Sequence, residues 1–121
     1  MSSASGDEIL QYSVVLVTGP EGEMAELARK LVEAGLAACV NVLNGVRSIY
    51  WWEGRVVEDV ESLLVIKTES GRLKDLMDFI RGSHPYEVPE IISLSIASGN
   101  PDYLRWVSDS VRRFGEQVER V

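Results

Sequence analysis

The sequence holds one cysteine, one histidine and four prolines in 121 residues. It has no apolar run long enough for a membrane span, which takes about 18 residues or more, so it predicts no membrane segment. A lone Cys39 excludes an intrachain disulfide and the disulfide-stapled class of small exported domains. That favours a cytoplasmic location. Met1 to Glu8 carries neither a basic residue nor an apolar stretch, which predicts no secretory leader. Residues 1–10 read instead as a flexible polar tail. Basic residues are the scarcer charge, 12 against 19 acidic, for a net −7. Such a balance repels phosphate backbones, so no nucleic-acid partner is expected, while cations are compatible.

Catalytic signatures are equally scarce. No serine stands in a nucleophile-elbow motif to join the single histidine, and no CxxC, HExxH or calcium-loop pattern occurs. Gly19-Pro20-Glu21-Gly22 sits where a phosphate loop would, between a strand and a helix, but lacks its glycine spacing and lysine.

What is present is ordinary globular composition, 45% hydrophobic and 26% charged, enough for one domain over residues 11–121. Tyr12 to Thr18 is a β-branched run that reads as a buried strand. Leu27, Ala28, Leu31 and Val32 then recur at helical spacing, predicting a helix over about 22–34 with Gly35 as a left-handed C-cap. Acidic Glu21, Glu23 and Glu26 stand at its positive end. Ala37 to Trp52 and Arg55 to Thr68 form two long β-like arms about a Glu53-Gly54 turn. Asn44-Gly45 is read either as a hairpin of its own or as a bulge within one long strand. Ser70 is a candidate N-cap for a second helix marked by Leu73, Leu76, Met77 and Ile80 and closed by Gly82. Ile91 to Ala97 reads as a strand. Asn100-Pro101 opens a third helix along Leu104, Val107, Val111, Phe114 and Val118. The order predicts an α+β, ferredoxin-like split βαβ with an antiparallel sheet, a long β2–β3 hairpin and an extra C-terminal helix.

Each hairpin arm runs about 14 residues against a usual strand of about 5–6. A small sheet cannot pair such arms throughout, and a long apolar edge aggregates unless covered. The pattern therefore predicts a homo-oligomer whose subunits cover one another's edges.

The chemistry-bearing stretch is His84-Pro85-Tyr86-Glu87-Val88-Pro89-Glu90, an imidazole, two carboxylates and a phenol stiffened by two prolines. Imidazole with carboxylate suits Zn²⁺ or a transition metal. The plainer reading is that His84-Pro85 closes the second helix and the prolines aim the fourth strand. Cys39, in apolar surroundings, reads as a small core residue, or else as a soft-metal or redox thiol. Trp51 and Trp52 must point to opposite faces of a strand, so one faces a partner or a cleft and the other can plug the base of the hairpin tip. Glu53, Glu58, Asp59 and Glu61 read as a solvated edge or a cation-attracting rim.

These motifs, with Leu36-Ala37-Ala38-Cys39-Val40-Asn41, Ser48 to Gly54, Ile66-Lys67-Thr68 and Gly99 to Trp106, resemble the CutA divalent-cation-tolerance proteins over about residues 11–114. The resemblance implies an intertwined homotrimer built on paired hairpin strands, a kink at Asn44-Gly45, and no established catalytic reaction. It implies divalent cations, copper notably, as partners. The implied metal ligands are His84 and Glu90, for Cu(II) or Zn²⁺. The implied ligand cleft gathers Trp52, Lys67, Tyr86 and Glu87. Some members carry a first-strand cysteine where this chain has Val17, so a site depending on that thiolate cannot form here, while a Cu(II) or Zn²⁺ site from imidazole and carboxylate survives. Three readings of function follow: a metal-homeostasis trimer, a PII-like trimeric sensor or adaptor binding in clefts between subunits, and an enzyme with His84 as base and Glu90 orienting it.

Overall fold

The computed structural model describes residues 11–120; the expected tail over 1–10 and the side chains of Phe114 and Val118 lie outside the described residues. Strand β1 (Tyr12–Pro20) leads to helix α1 (Met24–Glu33), and β2 (Cys39–Trp52) turns into β3 (Arg55–Glu69). A 3₁₀ turn (Ser70–Arg72) enters α2 (Leu73–Ser83), followed by β4 (Ile91–Ser95) and α3 (Pro101–Arg120). The four strands form one sheet in the order β2-β3-β1-β4, antiparallel at every pairing. β1 thus runs parallel to β2 across β3, and β3 parallel to β4 across β1: two interleaved βαβ units, as the element order predicts.

Strand pleat decides which residues make the core. Val15 and Val17 on β1 alternate with Leu64 and Ile66 on β3 and meet Met24, Leu27, Leu31, Leu76 and Ile80 from the two helices. Thr68 completes this face by donating its hydroxyl to the Leu36 carbonyl at 2.8 Å. The opposite sheet face keeps Leu43, Ile92 and Leu94 exposed in the single chain. At one end of that face, α3 packs Val107 and Val111 on Ala38 and Tyr12, whose hydroxyl meets Ser108 Oγ at 2.7 Å.

The long arms behave as one hairpin. The turn puts positive φ at both Glu53 (51°) and Gly54 (81°), the two-residue geometry that suits strand twist. Asn44-Gly45 is a bulge: the register shifts between Leu43 and Val46, and Gly45 has φ 76°. Distant side chains hold it. Glu21 accepts the Gly45 N–H, and Asn44 Oδ1 accepts the Ser62 hydroxyl at 2.6 Å. β1 pairs with β3 only as far as Pro20–Glu61, so Arg55 to Val60 and their β2 partners project beyond the sheet as a two-stranded ribbon.

Several local expectations need correction. Ser70 is not the α2 cap; it lies in the 3₁₀ turn, and its hydroxyl meets Ser13 Oγ at 2.7 Å. Gly82 lies within α2, which closes on His84 N–H donating to the Ile80 carbonyl. β4 ends at Ser95, short of Ala97. Gly35 does take the left-handed cap (φ 73°), and Asn100 Oδ1 does cap α3 by accepting the Asp102 N–H at 3.1 Å.

Candidate functional site

The root of the projecting ribbon and the loop after α2 enclose a cleft of about 750 Å³. Ser48, Ile49, Tyr50, Trp52, Asp59 and Glu61 supply the ribbon wall. Tyr86, Glu87, Val88 and Glu90 supply the other. The two-residue turn sets this ribbon wall: Trp52 pairs with Arg55, hence Tyr50 with Val57 and Ser48 with Asp59, so Tyr50, Trp52 and Asp59 share a face.

Two phenols tie the walls and carboxylates together. Tyr86 donates its hydroxyl to Glu61 Oε2 at 2.7 Å, and Tyr50 donates to Asp59 Oδ2 at 2.5 Å. Burial and the Glu61 bond push the Tyr86 phenol upward; the Asp59 bond, chiefly, does the same to Tyr50. Glu61 is only 6% exposed. No Lys or Arg forms an ion pair with it among the described residues, and its other oxygen, Oε1, stays within reach of water, since no buried side-chain polar atom there lacks a partner. The acidic ribbon residues thus divide. Glu58 pairs with Arg47 on the surface at 2.7 Å, whereas Asp59 and Glu61 face the cleft.

His84 stands behind this cleft. Its ring is 8% exposed, with Nε2 2.8 Å from the Thr18 carbonyl and Nδ1 accepting the Tyr86 N–H at 3.0 Å. A carbonyl only accepts, so these partners fix the neutral Nε2–H tautomer. The ring also lies 4.8 Å from the Tyr86 ring, tilted by 52°. Gly19 permits this junction: a Cβ there would come 2.9 Å from His84 Nε2 and overlap Met24. Thr18 meanwhile donates its hydroxyl to Glu90 Oε1 at 3.2 Å. His84 therefore sets the backbone of both residues, Thr18 and Tyr86, whose hydroxyls hold cleft carboxylates. His84 also closes α2, its N–H donating to the Ile80 carbonyl.

Of the sequence-predicted set, the cleft gathers Trp52, Tyr86, Glu87 and Glu90. It does not gather Lys67, which lies six residues along β3 from Glu61, about 20 Å by strand rise, and donates to Asn41 Oδ1. Nor does His84 line it. Among the described residues no group of three His, Cys, Asp or Glu side chains converges to hold a metal ion. Val17 is fully buried in the core and offers no donor. Cys39 is half-buried beside Tyr103, whose phenol is raised chiefly by burial. Trp51 and Trp52 are 73% and 60% exposed, so neither plugs the hairpin tip. The sequence leaves Tyr50 unmarked as a cleft residue and offers Asp59 and Glu61 only as part of a solvated edge or cation-attracting rim. Counting outward from the Glu53-Gly54 turn would have put the first two on one face.

A family model described as CutA1 divalent ion tolerance protein matches residues 13–110. A CutA homolog from Xenopus laevis is 52% identical over 100 residues, covering 82% of this chain and 66% of its own length. The divalent-cation tolerance protein CutA of Thermus thermophilus is 49% identical over 98 residues, 80% of this chain and 95% of the relative. The crystal structure of CutA1 from Oryza sativa superposes with a TM-score of 0.81 at 44% identity, covering 84% of this chain and 94% of that one. The chain spans less than two thirds of its first curated relatives, 66% of the frog protein and 56% of the chloroplastic rice one. With matched motifs, sheet order and extent in agreement, the chain belongs to the CutA1 divalent ion tolerance family.

Proposed function

We propose that the protein acts as a homotrimer in divalent-cation tolerance, with the acidic cleft as the place where cations are met. One observation carries the cation reading: four carboxylates, Asp59, Glu61, Glu87 and Glu90, line the cleft, and no cationic side chain lines it. The projecting ribbon, the apolar open sheet face and two unpaired edges, β2 and β4, support assembly. A cytoplasmic location remains our reading from cysteine usage, beside relatives named chloroplastic and periplasmic.

The donor set bears on the metal. A hydrated divalent ion can be held by one or two carboxylates with water filling its shell. A Cu(II) or Zn²⁺ chelate on His84 and Glu90 asks more: the imidazole must release Thr18 or Tyr86 to free a nitrogen. Calorimetric titration with Cu(II) and Zn²⁺ separates these. Binding lost in Glu61→Gln and Glu90→Gln but retained in His84→Ala supports the oxygen-lined cleft. Loss in His84→Ala and Glu90→Gln alone supports the chelate. Unchanged binding in all three overturns the site.

The size and aromatic lining of the cleft favour a second reading, a sensor for a larger ligand. Its volume is that of small-molecule sites, about 300–1,000 Å³, rather than of a metal cage.

A further inference from the structure

We propose that Asn44 is a self-modification site: the fold turns Asn44-Gly45 into a deamidation centre, with Glu21 as base and Ser62 as activator of the amide carbonyl.

An Asn-Gly pair can cyclise because the glycine has no Cβ to block its nitrogen from the side-chain amide carbon. Three asparagines occur, and only Asn44 precedes glycine. Asn41 precedes β-branched Val42, and Lys67 occupies its amide oxygen. Asn100 precedes Pro101, which has no N–H.

The bulge adds what the dipeptide alone lacks. The Gly45 N–H donates to the Glu21 carboxylate, so the nucleophile already has a base on its proton. Ser62 donates its hydroxyl to Asn44 Oδ1 at 2.6 Å, drawing electrons from the carbon to be attacked. One group therefore acts on the nucleophile and the other on the electrophile. The strand register passes over Asn44 and Gly45, so cyclisation breaks no pairing in the ladder. A Cβ placed on Gly45 would meet nothing within 4 Å, which leaves room for the nitrogen to move.

Assembly does not compete for these atoms. Ser62 stands two residues before Leu64 on β3 and is 1% exposed, so it shares the helix-covered face of the sheet. Asn44 reaches Ser62 on that face, and Glu21 comes from the link into α1. The open apolar face lies on the other side.

The step balances without an oxidant or reductant. The Gly45 nitrogen bonds to the Asn44 side-chain carbon as its proton passes to Glu21, and Ser62 holds the oxygen of the tetrahedral intermediate. The amide C–N bond then breaks, and the leaving nitrogen takes the proton back from Glu21 and departs as ammonia. One water opens the resulting succinimide at either carbonyl, giving aspartate or isoaspartate. Both products set a second carboxylate beside Glu21, and like charges repel. Isoaspartate also lengthens the main chain by one methylene. The change falls at the root of the free ribbon, where Val46 and Pro20 both pair with Glu61.

The test is incubation of the full chain at neutral pH, folded and in urea, with peptide mapping for the amide-to-acid mass change and for isoaspartate. Asn44 should convert about threefold or more faster in the folded chain than in the unfolded one, while Asn41 and Asn100 stay intact. Glu21→Gln keeps an acceptor for the Gly45 N–H but removes the base. It should slow the folded rate by about tenfold or more and leave the unfolded rate unchanged. Ser62→Ala should slow the folded rate by about fivefold through the lost carbonyl contact. Circular dichroism confirms that each variant is folded, and the exposed Glu21 position carries the test if Ser62→Ala fails to fold. A folded rate at or below the unfolded rate overturns the proposal, as the bulge would then be protecting Asn44. Equal folded rates in parent and Glu21→Gln overturn it as well, as does aspartate without isoaspartate, which would mark direct hydrolysis.

Discussion

Tyr86 reaches across from the loop after α2 to give its hydroxyl hydrogen to Glu61 at the root of the hairpin, at 2.7 Å. This contact joins two segments that are otherwise attached to different strands. It also makes the Tyr86 phenol a reporter of cleft integrity.

Its ionisation gives the first prediction. Burial and the Glu61 carboxylate hold the folded Tyr86 phenol above its ordinary value of 10.0. The stabilisation is complete below about pH 10, where the unfolded phenol begins to ionise, and is lost as pH rises through the folded value. Phenolate absorbance should therefore show a late-titrating tyrosine that vanishes in Tyr86→Phe. The alkaline fall in stability should become shallower in the same variant. An unchanged late fraction would place the perturbed phenols elsewhere, at Tyr50 and Tyr103.

His84→Ala should destabilise the fold by about 2–4 kcal/mol, since it strands the Thr18 carbonyl and the Tyr86 N–H and leaves a cavity. Urea unfolding measures it. A loss below about 0.5 kcal/mol, the ordinary range for surface sites, would mean that the ring is not the junction described.

Gly19→Ala should cost about 1–3 kcal/mol through overpacking against His84 and Met24. Met24 can rotate away, whereas His84 is fixed by two hydrogen bonds. Measured in a Met24→Ala background, whose own cavity lowers stability, Gly19→Ala should therefore cost less than in the parent yet still cost something. A cost of zero in that background, read from thermal melts, would show the imidazole yielding freely.

On the open sheet face, Leu94→Glu tests assembly. Leu94 is 51% exposed in the single chain, so a carboxylate there is tolerable in an isolated subunit and intolerable against a second apolar face. Sedimentation should show the parent as the proposed trimer and the variant as a monomer with its secondary structure retained. An unchanged sedimenting species would free this face from any part in assembly.

Arg47→Ala serves as the contrast. Its 2.7 Å pair with Glu58 is solvent-exposed on both sides, so the change should fall within about 0.5 kcal/mol of the parent.

Elements set by local periodicity were legible from the chain. The alternation of β1, the helical spacing of Leu27, Ala28 and Leu31, and the Asn100 cap all follow from neighbours a few residues away. Asn44-Gly45 was ambiguous because what decides it, Glu21 and Ser62, comes from other elements. Ser70 looks like a cap by type, yet a hydroxyl across the sheet at Ser13 claims it. The same limit applies to the site. The loop residues Tyr86, Glu87 and Glu90 were visible as a motif, but nothing in sequence shows the Thr18 carbonyl waiting for Nε2 of its histidine. Lys67 shares a motif with its neighbours while strand length carries it out of reach of the cleft.

The walls of the cleft belong to segments separated by the whole of α2, and each is attached to its own strand. No fragment of the chain that ends before Glu90 can display both walls, so occupancy of the cleft reports completion of the fold. A bound cation would act as a clasp closed after the strands have found one another. Contacts made that late slow unfolding far more than they speed folding. The expected signature of a true ligand here is a longer native lifetime with an almost unaltered refolding rate.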